Sequence, residues 1–201
     1  MNNLEPIKNI IFDLGGVILN IDYHLTVEAF EKLGVPNFET IFSQFNQSNL
    51  SDEFEIGKIT EEEFYKSLVE LSGIDFSFLQ FKRAWNAMLL DLPNSRIQLL
   101  KKLSKKYRLF LFSNTNETHY NSFIIRAGDD FDVIFEKTYY SHQFGRRKPD
   151  GDSFSALLKE NDLQPEETLF VDDSIQHIES ARKIGIRTFH LMDTDILNEF
   201  E

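Results

Sequence analysis

The sequence contains no cysteine, and only five of its 201 residues are proline. The absence of cysteine excludes disulfides, thiolate metal sites and cysteine nucleophiles, and it suits a reducing cytoplasm. Any chemistry must therefore come from side chains that carry oxygen or nitrogen.

Long apolar runs are also missing. No stretch reaches 18 apolar residues, the length that a membrane-spanning helix needs. The apolar run from Ile10 to Leu19 contains Asp13 and the pair Gly15-Gly16, and only Lys8 precedes it as a positive charge, which does not fit a secretory signal. We expect a cytoplasmic protein that does not bind membranes.

Positive charge is scarce: 21 lysines and arginines face 33 acids, a net charge of −12. This balance argues against nucleic acid as a partner, because phosphate backbones are repelled. Hydrophobic residues make up 41% of the chain and charged residues 27%, which is typical of a globular domain.

Four short apolar runs predict β-strands that are buried on both faces. They are Lys8–Asp13, Arg108–Ser113, Thr168–Asp172 and Arg187–Leu191. Helical patterns lie between or beside them at Ser95–Tyr107, Gly151–Asn161 and Ile175–Gly185. Strands that alternate with helices indicate an α/β fold with a Rossmann-like parallel sheet.

About 90 residues separate the first two strands, far more than one crossover helix requires. Helical spacing of apolar residues occurs at His24–Gly34, Thr60–Gly73 and Phe76–Leu90, and Thr60 with Glu63 forms a capping-box pattern. We therefore predict that residues 20–92, here called the insertion, form a small all-helical module. Residues 1–19 and 93–201, here called the core, form the catalytic domain.

Polar residues follow the predicted strands at the edge where parallel sheets bind ligands. Each alone is typical of a turn or helix cap, but together they form a set suited to phosphoryl transfer. Asp13 is positioned to attack a phosphoryl group, while Asp172 and Asp173 offer oxygen ligands for Mg²⁺. Ser113, Asn114 and Lys148 then bind the phosphate.

These residues carry a resemblance to the haloacid dehalogenase-like (HAD) superfamily of hydrolases. Its four signatures stand in order as Ile-Ile-Phe-Asp13-Leu-Gly-Gly-Val, Leu-Phe-Ser113-Asn-Thr-Asn, Arg-Arg-Lys148-Pro-Asp and Phe-Val-Asp172-Asp173-Ser. The insertion stands where the family has its C1 cap. The residues of the first two signatures are most similar to those of small bacterial sugar-phosphate phosphatases that act on glucose 1-phosphate.

The resemblance implies a Mg²⁺-dependent enzyme that forms an aspartyl-phosphate on Asp13. It implies that Asp13 and Lys148 are catalytic and that Ser113 and Lys148 bind phosphate. It also implies a metal site made of Asp13, the Gly15 carbonyl, Asp172 and Asp173. The expected partner is a small phosphorylated metabolite, and the expected state is a monomer or weak homodimer.

One position departs from the family pattern. Most phosphatases of the superfamily carry a second aspartate two residues after the nucleophile as general acid and base, and this chain has Gly15 there. Loss of a positioned general acid removes about 10²–10⁴ in rate, which matters less for a good leaving group such as an anomeric hydroxyl. We hypothesise that Asp22, Glu53 or Glu55 replaces it, although for each of them singly a solvated surface acid is the more common explanation.

Three further questions stay open from sequence. The turn-like segment Phe54–Ile59 either contacts the leaving group or is a plain interhelical loop. Trp85 is expected to be a core residue because it lies in an apolar stripe, and the five histidines are expected to be structural or surface residues because they lack metal-site spacing. Two alternatives to a phosphatase are a 2-haloacid dehalogenase-type hydrolase and a catalytically weak binding or scaffold protein.

Overall fold

The computed structural model describes residues 5–47, 49–128, 130–192, 195–196 and 200. Parts of both predicted core segments, at residues 1–4 and near the C-terminus, lie outside this range. Five strands form one parallel sheet in the order β3-β2-β1-β4-β5. Their bounds are β1 Asn9–Phe12, β2 Arg108–Ser113, β3 Lys137–Tyr140, β4 Thr168–Asp172 and β5 Arg187–His190. The predicted α/β class with a parallel sheet is confirmed.

Ten α-helices connect and cover the strands in the described part of the chain. In chain order they are α1 Tyr23–Lys32, α2 Phe38–Gln47, α3 Leu50–Glu55, α4 Glu61–Ser72, α5 Phe78–Trp85, α6 Asn94–Leu103, α7 Glu117–Ala127, α8 Ser141–Phe144, α9 Gly151–Glu160 and α10 Ile175–Lys183. None of these helices is long and apolar enough to cross a membrane.

The central strands are buried on both faces, as their apolar runs require. Successive residues alternate between two hydrophobic clusters: Ile10 and Phe12 belong to one cluster, and Ile11 to the other. Helices α6 and α7 contribute to the first cluster, and α9 and α10 to the second. The sheet and the helices on its two faces thus form three layers, and the carboxyl ends of the parallel strands lie together at one edge.

The insertion has a third hydrophobic cluster of its own, rich in aromatic rings. Phe30, Phe64, Phe81 and Trp85 are buried in it, so the expected structural role of Trp85 is confirmed. The capping box of Thr60 and Glu63 is present at the start of α4. The two segments that connect the insertion to the core run side by side. The backbone N–H of Asn20 donates to the Asp91 carbonyl at 3.0 Å, and the Leu90 N–H donates to the Asn20 carbonyl at 2.9 Å.

The segment Phe54–Ile59 is only partly a turn. Phe54 and Glu55 belong to the last turn of α3, and the reversal begins after them with Gly57 at φ +71°. The sequence pattern placed the turn too early, because the glycine marks the point of reversal and not the end of the preceding helix.

Candidate active site

The carboxyl edge of the sheet brings Asp13, Lys148 and Asp172 into contact. Asp13 directly follows β1, Asp172 ends β4, and the backbone N–H of Asp13 donates to the carbonyl of Val171 at 2.9 Å. The ammonium Nζ of Lys148 lies 2.9 Å from Asp13 Oδ1 and 2.7 Å from Asp172 Oδ2. Lys148 and Asp172 have no exposed surface, and Asp13 is 8% exposed. The Lys148 ammonium is therefore held between two carboxylates in a place that solvent barely reaches.

The protein positions Lys148 from three sides. The Asn114 side chain accepts a hydrogen bond from the Lys148 N–H at 2.9 Å and donates one to the Lys148 carbonyl at 2.7 Å. The rings of Phe112 and Phe170 lie 5.4 and 5.3 Å from the ammonium, at cation–π distance. The Asn114 amide, which the sequence suggested as a phosphate ligand, is occupied by the Lys148 backbone in this structure.

The two carboxylates have different proton affinities. Burial and the neighbouring Asp172 charge raise the pKa of Asp13 to about 7, against the lowering effect of Lys148. Burial alone would also raise the pKa of Asp172, but Lys148 and a hydrogen bond from His177 hold it at about 2. The same two carboxylates raise the pKa of Lys148 although burial opposes this. Lys148 and Asp172 thus stay ionised, while Asp13 titrates near neutral pH.

His177 is a site residue that the sequence reasoning missed. Its Nδ1 lies 3.0 Å from each oxygen of Asp172, and the Ser174 N–H donates to Asp172 Oδ1 at 2.7 Å. One carboxylate oxygen each of Asp13 and Asp172 and one ring nitrogen of His177 lie within 4.8 Å of one another, so the three residues could share a metal ion. The only sequence signal was the position of His177 in the first turn of the helix that follows β4.

The loop after β1 is shaped by glycine. Gly16 has φ +74°, and a Cβ there would lie 2.2 Å from the carboxylate of Asp173, so Asp173 packs directly on this loop. At Gly15 a Cβ would lie 3.3 Å from Ile21 Cδ1, so a side chain at this position requires Ile21 to shift. Gly15 supplies no proton donor beside Asp13.

A family model for the haloacid dehalogenase-like hydrolases matches residues 7–185. The chain belongs to this family. It is 34% identical over 191 residues to a D-ribitol-5-phosphate phosphatase of Bacteroides thetaiotaomicron, which covers 91% of each chain. A HAD family enzyme of the same organism, solved with magnesium and inorganic phosphate, is 36% identical with a TM-score of 0.88 and covers 97% of this chain and 100% of the other.

A more distant structure is the L-2-haloacid dehalogenase of Xanthobacter autotrophicus, at 18% identity and a TM-score of 0.64, covering 95% of this chain and 80% of the other. At that identity it shows the fold alone. This chain is therefore a HAD-family hydrolase, with a phosphatase and a complex with magnesium and phosphate among its relatives.

In this HAD-like hydrolase, a cavity of about 70 Å³ lies beside the loop after β1. Gly15, Ser113 and Asn114 line it together with Tyr23 from the start of α1. Tyr23 is 67% exposed at the rim of this cavity. Partial desolvation and the carboxylates of Asp13, Asp173, Glu55 and Asp172 raise the pKa of Tyr23 to about 12, so its hydroxyl stays protonated and can donate a hydrogen bond. No sequence pattern singles out Tyr23, because the acids around it are brought together only by the tertiary structure.

The three candidate acids lie in different environments. Asp22 is the N-cap of α1 and accepts a hydrogen bond from the His24 N–H at 3.0 Å. Glu53 lies on α3, and the Glu55 carboxylate lies 3.0 Å from Nε of Arg147. The structure thus gives Asp22 a capping role and Glu55 an ion-pairing role.

Proposed function

We propose that this hydrolase is a Mg²⁺-dependent phosphatase of a small phosphorylated metabolite, namely a phosphorylated sugar or sugar alcohol. The observation that carries the proposal is the buried group of Asp13, Lys148 and Asp172 at the carboxyl edge of the sheet. A buried nucleophile beside a buried ammonium is suited to attack on a phosphate dianion, which needs neutralising charge.

The donor set fits magnesium. Asp13 and Asp172 bring carboxylate oxygens within 4.8 Å of one another, and hard Mg²⁺ prefers oxygen ligands. We propose Asp13, the Gly15 carbonyl, Asp172 and Asp173 as its ligands, with His177 orienting Asp172. When bound, the ion supplies positive charge that offsets the phosphate and the carboxylates.

In the proposed reaction, an oxygen of ionised Asp13 attacks phosphorus. The bond from phosphorus to Asp13 forms while the bond to the ester oxygen breaks, and the leaving oxygen takes up a proton from one of the acids Asp22, Glu53 or Glu55 or from water. Lys148 and Ser113 bind the equatorial phosphate oxygens. Water then attacks the aspartyl-phosphate and releases inorganic phosphate, which regenerates the Asp13 carboxylate.

The substrate class follows from two arguments. The missing acid at Gly15 favours a good leaving group such as the anomeric oxygen of a hexose 1-phosphate. The relative named for D-ribitol 5-phosphate instead supports a sugar-alcohol phosphate with an ordinary primary oxygen. Both are monophosphates on a neutral polyhydroxylated body, and a substrate panel distinguishes them.

We also propose that the insertion at 20–92 acts as the cap over the site of a core formed by 1–19 and 93–201. Its separate hydrophobic cluster and paired connecting segments support this division. The cytoplasmic location, the monomeric or weakly dimeric state and the absence of nucleic-acid binding stay predictions.

The test is a panel of phosphomonoesters, including glucose 1-phosphate and ribitol 5-phosphate, with Mg²⁺ and with EDTA. We expect turnover that EDTA abolishes and added Mg²⁺ restores. Asp13→Asn should remove it, whereas Asp75→Asn on the exposed surface of the insertion should not. Normal turnover by Asp13→Asn would refute the mechanism, and activity on a 2-haloacid in EDTA would favour the dehalogenase alternative.

A further inference from the structure

The insertion contacts the core beside the catalytic lysine through Arg147. Its Nη1 donates a hydrogen bond to Asp52 Oδ1, and its Nε lies 3.0 Å from Glu55 Oε2. Asp52 and Glu55 lie three residues apart on α3, so both face the same side of the helix. One arginine of the core therefore binds two acids of the insertion, and the next residue along the chain is Lys148.

This group of one arginine and two acids is partly exposed to water, and Asp52 is its most exposed member. The side chains of Arg147 and Glu55 are 25% and 30% exposed, while that of Asp52 is 50% exposed. Burial raises the pKa of Glu55, and the charge of Arg147 opposes that rise. Partly buried pairs are screened less by salt than fully exposed ones, so salt should weaken the Arg147–Glu55 pair less than a fully exposed surface pair.

A second contact lies close to the first. Gly57, two residues after Glu55, sits so close to the core that a Cβ on it would lie 2.2 Å from the carbonyl oxygen of His142. Because the same core segment carries His142 and Arg147, the end of α3 and the following turn are seated on it at two points. This segment continues directly into Lys148.

Arg146 provides an internal comparison. It is 46% exposed, and its Nε lies 3.7 Å from Asp152, an acid of the core itself. Its guanidinium stacks on Phe144 at 5.5 Å, again within the core. Of the two adjacent arginines, Arg147 is the one that reaches the insertion.

We propose that Arg147 is a positioning residue that docks the insertion on the core through Asp52 and Glu55 and thereby sets the affinity for the phosphate ester. The proposal rests on the proposed phosphatase function. Without Arg147, a smaller fraction of the molecules has the insertion docked on the core. The apparent affinity for the phosphate ester falls in proportion to that fraction. Turnover of bound substrate changes less, because Lys148, Asp13 and Asp172 do not contact the altered side chain.

The test compares Arg147→Met with Arg146→Met in the full chain. For Arg147→Met we expect KM to rise about 3- to 10-fold and kcat to change less than about twofold. Arg146→Met should match wild type in both. In 0.5 M NaCl the KM ratio of Arg147→Met to wild type should shrink, because salt weakens the wild-type ion pair.

A double-mutant cycle identifies the partner. Asp52→Asn should raise KM in the wild-type background and have little further effect in Arg147→Met, since the contact is already lost. Additive effects of the two substitutions on KM, or a fall in kcat alone, would overturn the proposal.

Hydrogen exchange gives a readout that does not depend on turnover. Amides of residues 50–59 should exchange about fivefold faster in Arg147→Met than in wild type, while those of α10 stay unchanged. Unchanged exchange at 50–59 would refute docking even in an active enzyme. An inactive wild type with faster exchange in the variant would instead refute the phosphatase function and keep the docking contact.

Discussion

Lys148 illustrates how neighbouring side chains stabilise a charged group in the protein interior. Its ammonium has two carboxylates for charge, two aromatic faces for dispersion and polarisation, and an asparagine that fixes its backbone. Buried ions are costly unless they are paired in this way. Asn114 is uncharged and holds Lys148 through its backbone, so a substitution there leaves the charges of the site unchanged.

We expect Asn114→Ala to lower kcat about 10- to 100-fold, because Lys148 loses two backbone hydrogen bonds that fix its position. The free energy of unfolding should fall by about 1–3 kcal/mol, the cost of leaving buried backbone groups unpaired. Steady-state kinetics and urea unfolding measure the two effects. Asn94→Ala, on the exposed start of α6, is the control, and an Asn114→Ala enzyme with wild-type kcat would contradict the clamp.

His119 is a second residue whose hydrogen bonds define its state. The Asn116 amide Nδ2 lies 3.1 Å from His119 Nδ1, while Asn116 Oδ1 accepts from the His119 N–H at 3.0 Å. Nδ1 is therefore an acceptor, and Nε2 carries the proton that it donates to the Trp85 carbonyl at 3.0 Å. Burial lowers the pKa of His119 to about 4, despite that carbonyl.

This pKa predicts acid lability. Between pH 6.5 and pH 4 the unfolded chain binds a proton at His119 and the folded chain does not, so stability falls as pH falls through this window. The full effect is about 3 kcal/mol, from a lowering of the pKa from 6.5 to about 4. His119→Gln should therefore show a shallower loss of unfolding free energy on acidification.

The matched control is His24→Gln, an exposed histidine on α1. It should keep the wild-type slope of unfolding free energy against pH. His142, whose pKa is also lowered to about 4 by burial, retains part of the slope in both variants. Identical slopes for His119→Gln and His24→Gln would show that the His119 imidazole is not the sensitive group.

Among the elements, the turn between α3 and α4 is one of the places where the insertion packs against the core. We expect Gly57→Ala to raise KM several-fold, because its methyl group collides with the His142 carbonyl and lifts the turn. Gly73→Ala is the control: Gly73 has a similar φ of +66° but open space around it. Both variants should lose about 1 kcal/mol of stability to backbone strain.

Steady-state kinetics with thermal melting separate the two effects. If Gly57→Ala and Gly73→Ala have equal KM values, close packing of the turn does not govern substrate affinity.

The strands that sequence predicted share one property, an apolar run buried on both faces. The predicted runs for β2 and β4 match the structure. The run for β1 is one residue too long at each end, and the run for β5 is one residue too long at its C-terminal end. β3 was missed because Lys137 and Thr138 are polar, and as an edge strand it needs no continuous apolar run. α7 was missed because only Thr118 and Phe123 are buried on it, too few for a clear helical stripe.

The residues of the site also fall into those that the sequence predicts and those that only the structure reveals. Asp13, Ser113 and Asp172 were predictable, because the carboxyl ends of parallel strands must meet at one edge. Lys148 was predicted as a phosphate ligand at the same edge, and its ion pairs with Asp13 and Asp172 are seen only in the structure. The roles of His177, Tyr23 and Arg147 depend on side-chain contacts between distant segments, and neither spacing nor composition encodes those.

At the scale of the whole molecule, charge is distributed unevenly. The insertion has 13 acids and five bases, a net charge of −8 out of −12 for the chain. Its field should disfavour substrates with more than one phosphate. We expect kcat/KM for a sugar monophosphate to exceed that for the corresponding bisphosphate, with the difference shrinking at high salt as the field is screened. A preference for bisphosphates at low salt would contradict this.

The single tryptophan has an optical consequence. Trp85, in the insertion, donates its indole N–H to Asn116 of the core at 3.3 Å and stacks on the neutral His119 ring at 5.4 Å. All tryptophan emission of the chain therefore originates at the seam between the two parts. The protein carries its own fluorophore where separation of the parts admits water, so their relative motion can be followed in the native chain without a label.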